Sequence, residues 1–305
     1  MLHMRTRSEE LARFTQRASF SEAIVLGRDT SWPRMTIVTP TLNRAPYLER
    51  TILSVLNQNY PNLEYIVLDG GSRDDSCAII ERYARYLSYC RSKSDDGQGA
   101  ALKEGFDRAT GEILAWINSD DIYSPGVFRQ IGDMMRSQPG TDVCYGNMDL
   151  LDACGEVVAE RRLAECSRGV IDLGIRYGGF GFYQPAAFWR KALYDRVGGV
   201  DPSLYFDMDN DLFIRFALSG GRFAFLPCPL VGFRIHEASK SFELQDPGKS
   251  EIPLLLSRYG LDQGSIKSRC LRSIVRGYRV WKHILQGDGG YLLRRFLPSR
   301  WDWVA

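Results

Sequence analysis

The sequence has no long apolar run, little net charge and no paired cysteine motif, and each absence excludes a class of protein. No stretch reaches the roughly 18 apolar residues that a membrane-spanning helix needs. The 305 residues carry a formal net charge of only +2, which predicts no nucleic-acid partner. The seven cysteines are scattered and form no CxxC pair, which is typical of reduced thiols rather than of a disulfide framework or a zinc site. We therefore expect a cytoplasmic protein.

A glycine-rich phosphate loop is also missing. The turn after the first apolar segment reads TPTLNRAP (39–46), which matches neither GxGxxG nor GxxxxGK(S/T). Those two motifs hold the phosphates of dinucleotides and of ATP through backbone N–H groups. A nucleotide site in this chain would therefore hold its phosphates in another way, and acidic residues that bind a metal ion are one alternative.

Short apolar runs alternate with helical patterns between residue 35 and about residue 150. The runs are apolar throughout instead of alternating with polar residues, which indicates strands that are covered on both faces. We predict an α/β fold with a mostly parallel central sheet and helices on both faces. The expected strands are 35–40, 63–70, 112–121 and 141–152, and the expected helices are 45–58, 74–87, 99–110 and 126–138.

Polar side chains follow the predicted strands at one edge of the sheet. They are Thr39 with Asn43, then Asp69, and then Asp120 with Asp121. In open α/β sheets, ligands bind beyond the carboxyl ends of the strands. Aspartate and asparagine are also common in turns after any strand. Several such turns at one edge nevertheless favour a ligand site.

Two adjacent carboxylates end the third predicted strand, in WINSDDIYSPG (116–126). When both are ionised, Asp120 and Asp121 repel each other. A divalent cation at this edge would offset the repulsion and would also attract a diphosphate. The alternative is a pair of solvated turn residues before a helix.

Four longer segments carry a further signal: TIVTPTLNRAPYLERTILSVLNQNYPNLEYIVLDGGSRDDS, SDDGQGAALKEGFDRATGEILAWINSDDIYSPG, GGFGFYQPAAFWRKALYDRVGGVDPSLYFDMDNDLFIRFALSGG and FRIHEASKS. In their order and spacing they resemble inverting glycosyltransferases of family 2, which have the GT-A fold. The resemblance covers 35–242, which we expect to be the catalytic domain. We expect 1–34 to be an N-terminal extension outside the core and 243–305 to be a basic, amphipathic, helical region.

The resemblance implies a donor, an acceptor and a set of site residues. The implied donor is a nucleotide-diphospho-sugar, with a UDP-sugar as the first expectation. The implied acceptor is a saccharide or a lipid-linked saccharide in surface polysaccharide or glycolipid synthesis. The implied nucleotide-binding residues are Thr39, Pro40, Asn43, Asp69 at the base, Asp96, Gln98 and Asp120 near the ribose. The implied metal ligands are Asp121 and His236, the general base is Asp209, and Gln184 and Trp189 border the acceptor.

Three positions depart from the family pattern. Asn118 stands where the DxD motif has its first aspartate. The helix that often contains the letters NKG reads Lys103-Glu104-Gly105 here. Met208 stands where the family usually has the first acid of a Glu-Asp pair. The acids implied for the metal and for the base are present.

These acids fit the chemistry of sugar transfer. Mn²⁺ or Mg²⁺ would stabilise the negative charge that grows on the leaving diphosphate. A carboxylate would accept the proton of the acceptor hydroxyl, which is typically worth ~10²–10⁴ in rate. Asp207 and Asp211 are the alternatives to Asp209 because all three acids alternate at a predicted helix start.

Two other functions stay open. One is a nucleotidyltransferase, for which the first turn offers only Arg44 as a basic residue, and the other is a catalytically silent binding module.

The C-terminal region is basic and has a helical period. Residues 266–305 contain nine Lys or Arg and two Asp. Within 266–285, one apolar set and one basic set of side chains step by three or four residues. One interpretation is docking on the anionic inner face of a membrane, where a lipid-linked acceptor would lie. The other is a helix packed on the catalytic domain with a solvated basic face. The apolar set is Ile266, Cys270, Ile274, Tyr278, Trp281 and Leu285, and the basic set is Arg269, Arg272, Arg276 and Arg279.

Overall fold

The structure is a computed structural model that describes residues 2–177, 182–240, 250–261 and 264–295. Its strands are β1 (Met35–Thr41), β2 (Leu63–Asp69), β3 (Tyr89–Ser92), β4 (Ile113–Trp116), β5 (Ile122–Tyr123), β6 (Val143–Leu151), β7 (Val157–Arg161), β8 (Ala187–Arg190) and β9 (Phe223–Arg234). Its helices are α1 (Leu2–Thr15), α2 (Glu22–Val25), α3 (Ala45–Leu56), α4 (Ser76–Tyr83), α5 (Gln98–Arg108), α6 (Val127–Ser137), α7 (Arg168–Tyr177), α8 (Lys191–Arg196), α9 (Met208–Leu218), α10 (Ile252–Arg258), α11 (Ile266–Leu285) and α12 (Gly289–Arg295).

One mixed sheet carries these strands in the order β3-β2-β1-β4-β8-β6-β9-β5, with β7 paired to β6. Strands β1, β2, β3, β4, β6 and β9 run in one direction, and β5, β7 and β8 run against them. The prediction of a mostly parallel sheet is therefore confirmed. In the β1–β2 pair, Thr41 lies beside Asp69, so the polar ends of these two strands meet at one edge.

Helices cover both faces of the sheet because each presents one apolar stripe to it. On one face lie α3, α4 and α6, and the fully buried side chains of Leu48, Ile52 and Val55 form the stripe of α3. On the other face lie α5, α8 and α9, with Leu102 and Phe106 as the buried side chains of α5. The predicted helices on both faces are therefore confirmed.

Helix α5 approaches β1 closely because one of its residues has no side chain. A Cβ atom on Gly105 would lie 2.6 Å from the Cγ1 atom of Val38, which is far too short for two carbon atoms. Glycine at this position lets α5 lie directly on the sheet. Gln98 is the first residue of α5.

Two of the expected elements differ from the observed ones. The predicted strand 112–121 ends early, at Trp116, and the two acids lie in a turn before β5. In that turn the backbone N–H of Asp121 donates to the carbonyl of Asn118 at 3.1 Å. The predicted helix 74–87 begins at Ser76, ends at Tyr83 and continues as a short 3₁₀ turn.

The N-terminal segment packs on the sheet. Leu11 of α1 is 1% exposed and packs in one cluster with Ile122 and Leu151. Arg7 forms an ion pair of 2.6 Å with the buried carboxylate of Asp149 in β6. Helix α1 thus differs from the expected extension outside the core, since Leu11 and Arg7 meet partners on the sheet. The domain boundaries at 34 and 242 stay a prediction.

The described part of the C-terminal region is helical, as expected. Helix α11 packs against α7, with Val275 1% exposed. Tyr278 packs on a small cluster that includes Ile171 and Ile175 of α7. Among the helices of the described residues, none has both the length and the apolar character needed to cross a membrane.

Candidate functional site

The carboxyl edge of the sheet brings Asp120 and His236 together. Asp120 lies in the β4–β5 turn and His236 lies just after β9, the strand that pairs with β5. The Oδ2 atom of Asp120 is 3.1 Å from Nε2 of His236 and 3.6 Å from Nε of Arg44. The side chains of Asp120 and His236 are only 14% and 6% exposed. A carboxylate oxygen and an imidazole nitrogen that face each other are two atoms that one divalent cation can bind.

Asp121 lies deeper in the same turn and is 1% exposed. Its Oδ1 accepts the backbone N–H of Arg234 at 2.8 Å. Its Oδ2 has no hydrogen-bond partner among the described residues. Burial, and then the charge of Asp120, raise the pKa of Asp121 well above the ordinary value of 3.8. The turn therefore carries a carboxylate oxygen that an added positive charge would stabilise.

Arg234 ties the acidic turn to β9. Its side chain is 1% exposed, and its Nε donates to the carbonyl of Asp120 at 2.8 Å. Its Nη1 donates to the carbonyls of Asp152 and Ala153, at 3.2 Å each. One residue therefore fixes the backbone of the acidic turn and of the β6–β7 turn at the same edge.

Two residues at the start of α3 complete this part of the site, and sequence analysis gave neither of them a role in it. The ring of Tyr47 lies 4.7 Å from the ring of His236, centroid to centroid. The guanidinium carbon of Arg234 lies 5.0 Å from the centroid of Tyr47. Arg44 contacts the carboxylate of Asp120 through its Nε atom. The signal available in the sequence was their place in the first turn of the helix after β1, which begins at the carboxyl edge.

Three of the predicted nucleotide-binding residues lie on β1 and in the turn after it. Thr39 and Pro40 are buried within β1, and the Oγ1 atom of Thr39 is 3.1 Å from the hydroxyl of Tyr65. Asn43 is exposed and has a left-handed backbone, with φ of 52°. Its Oδ1 accepts the backbone N–H of Arg73 at 2.8 Å. Thr39 and Pro40 therefore lie inside the sheet, and Asn43 is the exposed residue of the three.

Asp69, at the end of β2, is fully buried. Its carboxylate accepts hydrogen bonds from the hydroxyls of Ser72 and Ser92. It also accepts the backbone N–H of Ser72 at 3.0 Å. These bonds order the loop after β2, and the expected contact between Asp69 and the nucleotide base stays a prediction.

Gln98 links the acidic turn to the segment after β9. Its Nε2 donates to Oδ1 of Asn118 at 2.8 Å, and its Oε1 accepts a hydrogen bond of 2.9 Å from Nζ of Lys240. The same Nζ donates to the carbonyl of Tyr205 at 2.9 Å. Asp96 is exposed and lines a surface cavity of about 700 Å³. Lys240 therefore connects the predicted nucleotide edge to the loop before α9.

Asp207 and Asp211, the alternatives for the general base, are both engaged by the fold. Oδ1 of Asp207 accepts from Nδ2 of Asn210 at 2.8 Å, and its Oδ2 accepts the backbone N–H of Glu251 at 2.7 Å. Asp211 is fully buried and forms an ion pair with Arg215. Each of these carboxylates therefore has a structural task.

Asp209 lies between them and is less engaged. It accepts the backbone N–H of Asn210 at 2.8 Å, and within the described residues it forms no salt bridge. Burial raises the pKa of Asp209 to about 6, against that hydrogen bond, and the charge of Asp207 adds to the rise. A carboxylate with this pKa is ionised at neutral pH and is a stronger base than an ordinary carboxylate.

Glu251 fixes the backbone that leads to Asp209. Its carboxylate accepts the backbone N–H groups of Tyr205, Phe206 and Asp207, at 3.0, 2.9 and 3.0 Å. Its own N–H donates to Asp207, so the start of α9 and the start of α10 hold each other reciprocally. This pair sets the position of Asp209 in the first turn of α9. Residue 251 lies beyond the family resemblance, and sequence analysis did not find it.

The two expected acceptor residues lie inside the protein. Gln184 is 5% exposed, and its Nε2 donates to the carbonyl of Trp116 at 2.8 Å. Trp189 is fully buried and packs among aromatic rings that include Phe106 and Phe213. Trp189 is therefore a core residue, and its position contradicts the expectation that it borders an acceptor. Gln184 fixes the backbone at the end of β4.

The described residues supply few metal ligands by themselves. No cluster of three or more His, Cys, Asp and Glu among them could hold a metal ion. Asp120 and His236 fit as two ligands, and Oδ2 of Asp121, in the same turn, has no hydrogen-bond partner among the described residues. Magnesium usually keeps several waters and is bound by one or two carboxylates together with substrate phosphates. This set of donors therefore fits a cation that binds together with a nucleotide diphosphate.

A family described as Glycosyl transferase family 2 matches residues 36–197, which is more than half of the chain. The chain therefore belongs to glycosyl transferase family 2. The matched span contains Asp120 and Asp121, whereas Asp209 and His236 lie beyond it.

Two curated relatives are named glycosyltransferases. An uncharacterised glycosyltransferase of Nostoc sp. is 24% identical over 213 residues, which are 68% of this chain and 66% of the relative. An uncharacterised glycosyltransferase of Mycobacterium tuberculosis is 29% identical over 195 residues, which are 62% of this chain and 71% of the relative. The matched part of this chain thus spans about two thirds of each relative.

Solved structures share the fold. S. aureus TarS 1–349 in complex with UDP-GlcNAc has a TM-score of 0.52 and 19% identity, over 68% of this chain and 60% of that chain. The mannosyltransferase PcManGT from Pyrobaculum calidifontis, in complex with GDP-Man and Mn²⁺, has a TM-score of 0.52 and 16% identity, over 95% of this chain and 87% of that chain. At these identities the likeness establishes the GT-A fold, as expected from the sequence.

Proposed function

We propose that this chain is a metal-dependent, inverting glycosyltransferase. It moves a sugar from a nucleotide-diphospho-sugar to a hydroxyl group of an acceptor. The observation that carries the proposal is the pairing of Asp120 with His236 at the carboxyl edge of the sheet, where the family has its nucleotide site. Asp209, whose pKa is raised to about 6, lies in the first turn of α9.

In this proposal, Asp120 and His236 hold the cation. A bound Mn²⁺ or Mg²⁺ supplies Lewis-acid stabilisation of the diphosphate as it leaves. Asp121 lies deeper, with one oxygen fixed by a backbone N–H and the other without a hydrogen-bond partner in the described chain, so a bound cation would favour its ionised form. This differs from the roles inferred from resemblance, which put Asp121 on the metal and Asp120 near the ribose.

Asp209 accepts the proton of the acceptor hydroxyl while the hydroxyl oxygen attacks the anomeric carbon. The sugar–phosphate bond breaks on the opposite side, so a single displacement inverts the configuration. Asp209 is ionised at neutral pH, as a general base must be. Glu251 and Asp207 hold the first turn of α9 so that the carboxylate keeps its position.

A UDP-sugar is the donor that we propose. One structural neighbour binds UDP-GlcNAc and the other GDP-Man, so the fold accepts both kinds of nucleotide. The preference for UDP rests on the sequence resemblance, with Asp69 expected at the base. The proposed acceptor is a saccharide or a lipid-linked saccharide of a surface polysaccharide or glycolipid, at the inner face of the membrane.

The experiment is a thermal-stability panel followed by donor hydrolysis. UDP, GDP and ADP, each with and without Mn²⁺, should separate, with UDP and Mn²⁺ together giving the largest rise in melting temperature. Slow hydrolysis of one nucleotide sugar by the enzyme would then identify the donor. A protein that nucleotide and Mn²⁺ stabilise, but that neither hydrolyses nor transfers any nucleotide sugar, would be the catalytically silent binding module. A protein that Mn²⁺ and nucleotides leave unchanged, separately and together, would contradict the proposal.

A further inference from the structure

Helix α11 leaves an apolar face exposed. In the described part of the chain, eleven large apolar side chains are exposed, and six of them belong to this one helix. Such side chains are normal when single, but a contiguous apolar patch marks a surface that binds something. We name these six residues the α11 face: Ile266, Ile274, Val280, Trp281, Ile284 and Leu285.

The side of α11 that packs on the protein is a different one. Ser268, Val275 and His283 are the buried residues of this helix. At 100° per residue they lie roughly opposite Ile266 and Ile284. The helix therefore packs on the catalytic domain with one side and presents the α11 face with the other. The two interpretations of the sequence, packing and docking, are compatible in this structure.

Cations border the α11 face on both sides. The helix contains six Lys or Arg and no Asp or Glu. The exposed side chain of Lys267 lies on one side of the face, and those of Arg269 and Arg276 lie on the other. An apolar band between basic flanks is the pattern of a helix that lies in the interface of an anionic bilayer.

We infer that the α11 face docks on an anionic lipid surface. Charge decides between lipid and a second copy of this chain, because two copies joined through α11 would bring like charges together with no acid from either helix. A layer of anionic headgroups complements the flanking cations, and the region below the headgroups accepts the apolar side chains. Docking would bring the proposed active site to a lipid-linked acceptor, and this purpose rests on the proposed function. The docking surface itself depends only on the residues of α11.

The first test is sedimentation of the full-length protein with vesicles of phosphatidylcholine, with and without phosphatidylglycerol. The protein should bind only the anionic vesicles, and added salt should weaken binding. Arg269→Gln together with Arg276→Gln should lower the partition coefficient by about fivefold per arginine at low salt. Ile274→Ser together with Trp281→Ser should lower it by roughly tenfold or more, at high salt as well as low.

Matched controls lie elsewhere on the surface. Leu254, on α10, is 51% exposed, close to the 52% of Trp281. Arg13 and Arg17 are exposed arginines of the N-terminal segment. Leu254→Ser, and Arg13→Gln together with Arg17→Gln, should bind vesicles as the native protein does. An equal loss in these controls would overturn the assignment to α11.

A probe on Cys270 gives a second measurement. Cys270 and Cys154 are the exposed cysteines, and Cys270 lies within the α11 face by its helical position. An environment-sensitive fluorophore on Cys270, in a Cys154→Ser background, should shift to the blue with anionic vesicles and stay unchanged with phosphatidylcholine alone. An unchanged spectrum with both kinds of vesicle would contradict docking.

Other occupants of the face give different results. A dimer that Ile274→Ser with Trp281→Ser dissolves, without any vesicle binding, would assign the face to a second copy. A lower melting temperature of that variant, again without vesicle binding, would assign it to another segment of this chain. Vesicle binding needs neither donor nor acceptor, so these outcomes are independent of whether the proposed transfer is correct.

Discussion

Aspartates lie close together both in the β4–β5 turn and at the start of α9, but the two sets differ in the hydrogen-bond donors that they receive. Around α9, the fold supplies donors to the two outer carboxylates: Asp207 receives an amide and a backbone N–H, and Asp211 pairs with Arg215. In the turn, Asp121 receives one backbone N–H, and its second oxygen has no hydrogen-bond partner in the described chain. The turn therefore leaves one buried carboxylate oxygen without a donor among the described residues, whereas the outer acids of α9 have donors on both oxygens.

The difference separates acids that hold the fold from acids that are available for chemistry. A buried carboxylate without a partner costs free energy unless a ligand supplies the charge. An added cation would therefore stabilise the unpaired oxygen of Asp121. At α9, burial raises the pKa of the middle acid, Asp209, to about 6, and the charge of Asp207 adds to the rise, so Asp209 is the stronger base.

Breaking the α9 set should give the largest effect. Asp209→Asn should lower the transfer rate by ~10²–10⁴ and leave donor affinity and melting temperature unchanged, because only the base is lost. Asp211→Asn should instead destabilise the protein by about 3 kcal/mol, because it breaks a buried ion pair. Transfer kinetics and thermal denaturation of both variants check this. A near-native rate for Asp209→Asn would show that the base lies elsewhere.

Breaking the turn should give the next largest effect. Asp120→Asn should weaken Mn²⁺-dependent UDP binding by about tenfold or more, since it removes a ligand of the cation. Calorimetry with Mn²⁺ and with EDTA measures this, and affinity in EDTA should not change. Asp121→Asn is the matched comparison. If it loses more Mn²⁺-dependent affinity than Asp120→Asn, the ligand is Asp121, as the family resemblance implies.

A pH profile sharpens the comparison without a mutation. Asp209 must be ionised to accept a proton, and its pKa is raised to about 6. The rate should therefore be full above pH 6 and fall as the pH drops through 6, by roughly tenfold per unit below it. An ordinary aspartate would keep the rate constant down to about pH 4. A flat profile between pH 5 and 7, at saturating donor and acceptor, is the contrary result.

The smallest effect should come from the residue that positions the base. Glu251→Gln weakens the three backbone N–H bonds and should lower stability by about 1 kcal/mol. The rate should fall several-fold with little change in the Michaelis constant of the donor. Glu10→Gln, at an exposed acid of α1, is the control for the loss of one charge. Equal rates for the two variants would limit Glu251 to a structural role.

Much of the fold was predictable because local pattern and burial agree in its first half. The apolar runs of β1 and β6 are buried throughout, and that of β2 is buried after Leu63, so these continuous runs report their environment directly. The short strands β3, β5 and β8 have two to four residues, too few for a pattern. Helix α1 misled sequence analysis because few of its side chains are buried, and these meet partners distant in sequence, such as Asp149.

The candidate site was predictable where one segment of the sequence contains its residues. It was not predictable where the site depends on contacts between residues far apart in the sequence. The acid pair is visible in the sequence, but the contact of Asp120 with His236 joins positions 116 residues apart. Glu251 binds backbone groups about 45 residues away, and no side-chain pattern reports such a bond. The burial of Trp189 was not predictable, because an aromatic residue in the expected acceptor segment gives the same sequence pattern whether it is exposed or buried.

Arg234 has a consequence for the order in which the protein folds. Its bonds to the acidic turn join residues 113 and 114 positions apart, and those to the β6–β7 turn span 82 and 81. Contacts of such separation form late, because each must close a long loop first. A nascent chain that has emerged only through residue 197, where the match to the family ends, lacks both Arg234 and His236. We therefore expect nucleotide and metal binding to report on completed folding, since a partly folded chain lacks the bonds of Arg234 to the acidic turn.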